Sequence, residues 1–124
     1  MIIGIGIDLL KYKRIKRIFK IFKNRFVKKI LSKNEIKIFY KKKNINFLAK
    51  RFVIKEAASK AFGTGINYGI FFKNFEIYKN KKNKPKIKYF KKNLKFIKKK
   101  KIKKSYVSFT KEKKYFSSIV ILEN

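Results

Sequence analysis

Two carboxylates in this sequence, Asp8 and Glu56, have neighbours that suit a metal–phosphate site. Asp8 is the only aspartate and follows an apolar stretch that contains Gly4 and Gly6, while Glu56 is followed four residues later by Lys60. Mg²⁺ usually binds one or two protein carboxylates and completes its shell with water and phosphate oxygens. The pair therefore fits a magnesium–polyphosphate site. Two simpler roles stay open, because Asp8 could cap the following helix and Glu56 could form a surface ion pair with a lysine.

Cationic and glycine residues around Glu56 would complete such a site. Lys55, Ser59 and Lys60 flank the carboxylate, and the loop Gly63-Thr64-Gly65 follows. The simpler interpretation of the glycines is a strand that crosses closely under a helix, together with an ordinary helix-ending loop. The loop follows a predicted helix instead of preceding one, so it is not a dinucleotide-binding loop, and no P-loop motif occurs.

The composition excludes several classes of chemistry. The chain has no Cys and no His, which removes disulfides, cysteine-based zinc sites, thiol nucleophiles and a histidine base. Its 38 Lys and Arg against 6 Asp and Glu give a net charge of +32, which attracts nucleic acid, phosphorylated small molecules or an acidic protein. Mutational bias towards AT-rich codons would produce the same excess of Lys, so charge alone does not select the partner.

The elements that must position these residues follow from hydrophobic periodicity and capping signals. The 124 residues suffice for one domain. A capping box at Ser32 and Glu35 begins a second helix, and Gly63 stands where a long third helix should end. The predicted order is a strand over 2–7, helices from about 10, over 32–40 and 45–62, strands over 70–78 and 86–90, a helix over 91–103, and strands over 106–110 and 115–122. This order predicts a single α+β domain over 1–124, with a mostly antiparallel sheet packed against the long central helix.

Two segments give the sequence a family resemblance. Residues 4–10 (GIGIDLL) resemble the opening strand of the bacterial holo-[acyl-carrier-protein] synthase family. Residues 51–66 (RFVIKEAASKAFGTGI) are similar to the central signature of that family almost position for position. Shorter likenesses at 31–35, 47–51, 84–85 and 106–109 extend the resemblance over essentially the whole chain.

The resemblance implies a 4′-phosphopantetheinyl transferase of fatty acid biosynthesis. Such enzymes transfer phosphopantetheine from coenzyme A to a serine of apo acyl carrier protein and release adenosine 3′,5′-bisphosphate. By this likeness Asp8 and Glu56 hold Mg²⁺, and Lys60 lies near the leaving phosphate. The resemblance also implies a homotrimer with active sites between neighbouring subunits. The residues that it implies in coenzyme A binding are Arg51, Lys55, Lys60, Gly63, Thr64, Gly65 and Pro85.

The first helix offers a face for the carrier protein, which is strongly acidic in this family. Arg14 and Arg17 stand beside Lys11 and Lys20 there, and such a face would steer an acidic partner towards Asp8. The same residues could simply be solvated.

The chain departs from the family pattern at four positions. Lys11 replaces a common acid, Asn83 a glycine and Tyr106 a frequent histidine, and Lys111 stands where histidine or an acid is usual. Because the chain has no histidine, the general base is Asp8, a metal-bound water or bulk solvent, and the choice among them stays open.

Two other functions are alternatives to the transferase. A small basic nucleic-acid-binding protein would use its aromatic residues for stacking, but aromatics such as Phe19 and Phe52 fall at core positions. We therefore expect no specific nucleic acid partner. An inactive transferase remnant is the other alternative, which the retained Asp8, Glu56 and Lys60 disfavour. No apolar run approaches the ~20 residues of a membrane span, and no signal peptide is recognised, so a cytoplasmic location without membrane contact is expected.

Overall fold

The computed structural model describes all residues, 1–124, and has two antiparallel sheets around one long helix. The larger sheet has the strand order β1-β5-β4, and the smaller sheet pairs β2 with β3. The elements are β1 (Ile2–Lys11), α1 (Tyr12–Phe22), α2 (Asn24–Ile30), α3 (Lys33–Lys42), α4 (Ile45–Phe62), a 3₁₀ turn (Phe72–Asn74), β2 (Phe75–Lys79), β3 (Pro85–Tyr89), α5 (Lys91–Lys99), β4 (Lys104–Lys111) and β5 (Tyr115–Glu123). The predicted single-domain α+β architecture is confirmed, although the antiparallel strands divide into two sheets.

The helix α4 is the centre of the core. Most of its residues are buried, including Leu48, Val53 and Ala58. It packs across β1 and β5, and Gly63 ends it with a left-handed φ of 79°. A helix that is apolar on nearly every side is stable only where neighbours cover it. The few polar positions on α4 therefore stand out.

The glycines of β1 allow this helix to lie almost against the strand. A Cβ added at Gly4 would overlap the carbonyl oxygen of Ala61, and one at Gly6 would overlap that of Ala57. These two positions must therefore be glycine for the strand and the helix to cross this closely. Asp8 is the next residue on the same inner face of β1, because side chains alternate along a strand.

The outer face of the larger sheet is apolar and uncovered. The β1 side chains of Ile5, Ile7 and Leu9 are more than half exposed, at 56%, 61% and 65%. Ile5 and Ile7 pair across the ladder with Ile121 and Ile119 of β5. Contiguous apolar surface of this kind marks an interaction face in most proteins.

Several sequence predictions of the elements needed correction. β1 extends to Lys11, so Asp8 lies inside the strand opposite Ser118, and the alternative that it caps α1 is wrong. A helix before Ser32 was missed, because α1 and α2 are separated at Lys23 without a glycine or proline to signal the break. The predicted strand over 70–78 begins only at Phe75, and the helix predicted over 91–103 ends at Lys99. The capping box at Ser32 and the closing hairpin are confirmed. No helix of the protein has the length and apolar character needed to cross a membrane.

Candidate active site

Asp8 and Lys60 meet where the inner face of β1 lies against the last turns of α4. The Lys60 ammonium donates hydrogen bonds to Asp8 Oδ1 and to the Ile7 carbonyl oxygen, both at 3.1 Å. The Lys60 side chain is 52% exposed, whereas that of Asp8 is 16% exposed. The carboxylate is thus held by the sheet, and the ammonium reaches it from solvent.

Glu56 lies one helical turn before Lys60 and, like Lys60, lies close to Asp8. Burial raises the pKa of Glu56, and the negative charge of Asp8 raises it further, while Lys60 and Arg14 act in the opposite direction. Glu56 itself forms no ion pair within 4.0 Å. The surface Glu56–Lys60 pair considered from the sequence is therefore not formed, because Lys60 pairs with Asp8 instead.

The donor chemistry of this pair fits a hard divalent cation. Two carboxylates repel each other across a half-buried site, and a cation between them would remove that repulsion. No third Asp, Glu, His or Cys joins them. Mg²⁺ accepts such a pair when water or phosphate oxygens supply the remaining ligands.

Lys55, predicted to contact coenzyme A phosphates, does not reach this site. Its side chain is fully buried, and its ammonium donates to Glu35 Oε1 at 2.5 Å and to the Ile30 carbonyl oxygen at 2.6 Å. Burial lowers its pKa to about 8 despite the pairing with Glu35. Consecutive helical residues point about 100° apart, so Lys55 faces α3 while Glu56 faces β1. The structure thus gives no support to the predicted contact of Lys55 with coenzyme A.

Arg51 lies on the same helical face as Lys55 and belongs to the same buried group. Its guanidinium stacks over the Phe47 ring at 3.5 Å, and its Nε lies 3.7 Å from Glu35 Oε2. The side chain is only 12% exposed. Within one chain Arg51 is thus not brought to Asp8 and Glu56, and its contact with coenzyme A stays a prediction.

The glycine loop begins three residues after Lys60, at the end of α4. Gly63 and Gly65 have φ values of 79° and 59°, and a Cβ at either would meet nothing within 4 Å. Thr64 lies between them, with its hydroxyl hydrogen-bonded to the Gly65 carbonyl oxygen. The backbone at these two glycines is therefore open to an approaching group. Pro85 opens β3 in the other sheet, so its role in lining an adenine also stays a prediction.

A groove lined by basic and apolar side chains includes Arg14, whose charge also acts on Glu56. It has a volume of about 760 Å³ and runs between α1, α2 and the segment after the glycine loop. The predicted Arg14 lines it, and Arg17, exposed on α1, does not. Sequence reasoning missed the contribution of α2 because that helix was not predicted. The side chains that line the groove are Arg14, Ile18, Phe22, Arg25, Phe26, Lys28, Lys29, Ile30, Phe52, Ile66, Phe71 and Phe72.

Two facing carboxylates with a lysine and a nearby glycine loop in the sequence are compatible with a phosphate-group transferase, and comparison with known proteins shows the family. The chain belongs to the 4′-phosphopantetheinyl transferase superfamily, whose family model matches residues 4–116. It is 50% identical over 124 residues to the holo-[acyl-carrier-protein] synthase of Buchnera aphidicola subsp. Acyrthosiphon pisum (strain Tuc7), covering 99% of this chain and 98% of that protein.

Solved structures with the same fold give equally complete matches. The holo-[acyl-carrier-protein] synthase of Neisseria meningitidis superposes with a TM-score of 0.94 at 35% identity, over 100% of both chains. The Helicobacter pylori enzyme, solved in complex with coenzyme A, superposes with a TM-score of 0.83 at 30% identity, over 96% of this chain and 99% of that chain.

Proposed function

We propose that this protein transfers 4′-phosphopantetheine from coenzyme A to a serine of apo acyl carrier protein and releases adenosine 3′,5′-bisphosphate, in support of fatty acid biosynthesis. The observation that carries this proposal is the convergence of Asp8, Glu56 and Lys60 at one strand–helix crossing. The named activity of the full-length relatives and the coenzyme A complex of the Helicobacter pylori enzyme support it. A nucleic-acid-binding function would leave this convergence without a purpose.

Asp8 and Glu56 are the residues that would hold Mg²⁺. When bound, the ion would neutralise negative charge on the pyrophosphate of coenzyme A. Lys60 supplies a positive charge at the same place and can pair with a phosphate oxygen as the phosphoanhydride bond breaks. The open backbone at Gly63 and Gly65 lets a phosphate approach closely. The chain has no histidine to accept the serine proton, so Asp8 is the side chain at this site that could accept it, with solvent as the other acceptor.

The carrier protein would dock on α1 and on the groove beside it. Arg14 acts on Glu56 electrostatically and also lines the groove, so it connects the carboxylate pair with this surface. Arg17, Arg25, Lys28 and Lys29 are exposed around it. An acidic helix with apolar residues fits such a surface, and its association should weaken as salt rises. Replacing Arg14 and Arg17 by Gln should raise KM for the carrier and flatten its salt dependence.

We also propose that the enzyme is a cytoplasmic homotrimer with active sites between subunits. The uncovered apolar face around Ile5, Ile7 and Leu9 supports self-association. Arg51 and Pro85 lie apart from the carboxylate pair within one chain. A neighbouring subunit could supply both residues to the site.

Intact-mass spectrometry of the carrier protein tests the proposed function. Purified apo acyl carrier protein is incubated with this protein, coenzyme A and Mg²⁺, with and without a chelator. The expected result is a mass increase of one phosphopantetheine that disappears with the chelator. A folded protein that leaves a cognate carrier unmodified would instead identify an inactive remnant.

A further inference from the structure

The Lys60 ammonium is hydrogen-bonded to a carboxylate oxygen that a metal ion at this site would need. It contacts Asp8 Oδ1 and the Ile7 carbonyl oxygen, and it is also one of the charges that act on Glu56. We propose that Lys60 is an exchangeable counter-ion: it holds the carboxylate site in the free protein and moves to the diphosphate of coenzyme A when the metal binds. Metal and diphosphate then bind cooperatively. This inference rests on the proposed function, because it requires the Asp8–Glu56 pair to be the metal site.

The geometry allows Lys60 to leave without disturbing the fold. The side chain is 52% exposed, and its ammonium makes only the two hydrogen bonds described. Exposed ion pairs contribute little to stability, and the flexible four-carbon stem of lysine lets its charge move several ångströms. The buried Lys55, fixed by Glu35 and the Ile30 carbonyl, has no such freedom.

The balance of charge explains why the exchange should require a diphosphate. Two carboxylates, Asp8 and Glu56, face two cations, Lys60 and Arg14. A divalent cation that enters alone must displace Lys60 and then remain near two unpaired positive charges. A diphosphate that enters with the metal provides anionic oxygens for both cations. The metal should therefore bind weakly alone and much more tightly with the diphosphate.

Direct metal binding tests this coupling without any catalytic turnover. Mn²⁺ serves as the paramagnetic probe, and its dissociation constant is measured by electron paramagnetic resonance with and without coenzyme A, corrected for Mn²⁺ bound by free coenzyme A. The variants are Lys60→Gln and the matched control Lys37→Gln, which removes the same charge from the exposed surface of α3. Melting temperatures of both variants confirm that they are folded.

We expect wild type and Lys37→Gln to bind Mn²⁺ at least tenfold more tightly with coenzyme A than without it. Lys60→Gln should bind Mn²⁺ alone about three- to tenfold more tightly than wild type, because one adjacent positive charge is removed. Its gain from coenzyme A should shrink accordingly. Equal Mn²⁺ affinities in Lys60→Gln and Lys37→Gln, or no effect of coenzyme A on wild type, would overturn the exchange.

The failure of this inference differs from failure of the proposed function. Holo-carrier formation without cooperative Mn²⁺ binding overturns the exchange and leaves the transferase intact. No holo-carrier formation, together with no Mn²⁺ binding by any variant in the presence of coenzyme A, overturns both.

Discussion

Replacing Gly6 by alanine should separate the two halves of the active site. A Cβ at Gly6 would overlap the Ala57 carbonyl oxygen and would lie 2.5 Å from the Ala61 nitrogen. Ordinary van der Waals contact needs about 3.5 Å or more, and the added Cβ would lie only 1.8 Å from the Ala57 oxygen. β1 and α4 must therefore move apart by more than about 1 Å, roughly 1.5–2 Å if the crossing opens along that contact. Asp8 lies two residues after Gly6 on β1, and Glu56 directly precedes Ala57 on α4. The displacement therefore widens the distance between the two carboxylates.

The magnitude follows from the size of this displacement. Overpacking of a core typically costs about 1–3 kcal/mol, which corresponds to a melting temperature lower by roughly 4 °C per kcal/mol for a chain of this size. A misplacement of about 1 Å in a catalytic site can cost on the order of 10²-fold in rate. Gly6→Ala should thus lower kcat/KM far more than the small unfolded fraction explains.

The assay combines urea unfolding with the initial rate of holo-carrier formation, normalised to folded protein. Gly69→Ala is the control for an added methyl group away from the crossing: Gly69 has a left-handed φ of 82°, unlike Gly6, and its added Cβ would meet only the flexible Lys92 side chain. That variant should lose about 1 kcal/mol and keep its rate per folded molecule. If Gly6→Ala kept the stability and the rate of the wild type, the close strand–helix crossing could not be what fixes the distance between the two carboxylates.

Three further variants probe other parts of the structure. Glu56→Gln should abolish transfer and yet raise the melting temperature of the metal-free protein near pH 7 by roughly 1–4 °C. The pKa of Glu56 is raised in the folded state, so ionised Glu56 lowers stability at pH values above its unfolded pKa. The gain in the variant should therefore vanish in acid, where Glu56 is protonated in both states. Differential scanning fluorimetry in chelator measures this, and a lower melting temperature at pH 7 would contradict the repulsion from Asp8. Lys55→Met should cost about 3–5 kcal/mol, because the buried Glu35 loses its hydrogen-bonded ammonium and keeps only the more distant Arg51 as a cationic partner. The double variant with Glu35→Gln should recover part of the loss in urea unfolding, and a fully additive double variant would argue against the pair. Ile7→Lys, which places a charge on the outer sheet face, should dissociate the proposed trimer in analytical ultracentrifugation, and an unchanged sedimentation coefficient would exclude that face.

Features that depend on neighbouring residues in the chain could be predicted from the sequence. Ser32 and Glu35 form the expected capping box, since its signature needs only three residues of spacing. Gly63 ends α4 as predicted because a left-handed helix end favours glycine. The glycines of β1 indicated a close approach, and the structure identifies α4 as the partner.

Features that depend on three or more distant elements could not be predicted in this way. The sequence predicts only a capping role for Glu35, but its carboxylate also accepts hydrogen bonds from Lys55 and from the Ile77 amide of β2. Only the packing of α3, α4 and β2 makes Lys55 a buried partner of Glu35. The break at Lys23 escaped prediction because a lysine adopts the positive φ of 46° there.

The central claim is that Asp8 and Glu56 together form the metal site of a phosphopantetheinyl transferase. The most direct test is the rate of holo-carrier formation, followed by intact mass, for Asp8→Asn, Glu56→Gln and the control Glu112→Gln, whose glutamate is exposed between β4 and β5. We predict Mg²⁺-dependent transfer by wild type and Glu112→Gln, and at least a 10²-fold loss in each of the other two variants, all with intact folds. Wild-type rates in folded Asp8→Asn and Glu56→Gln would contradict the claim.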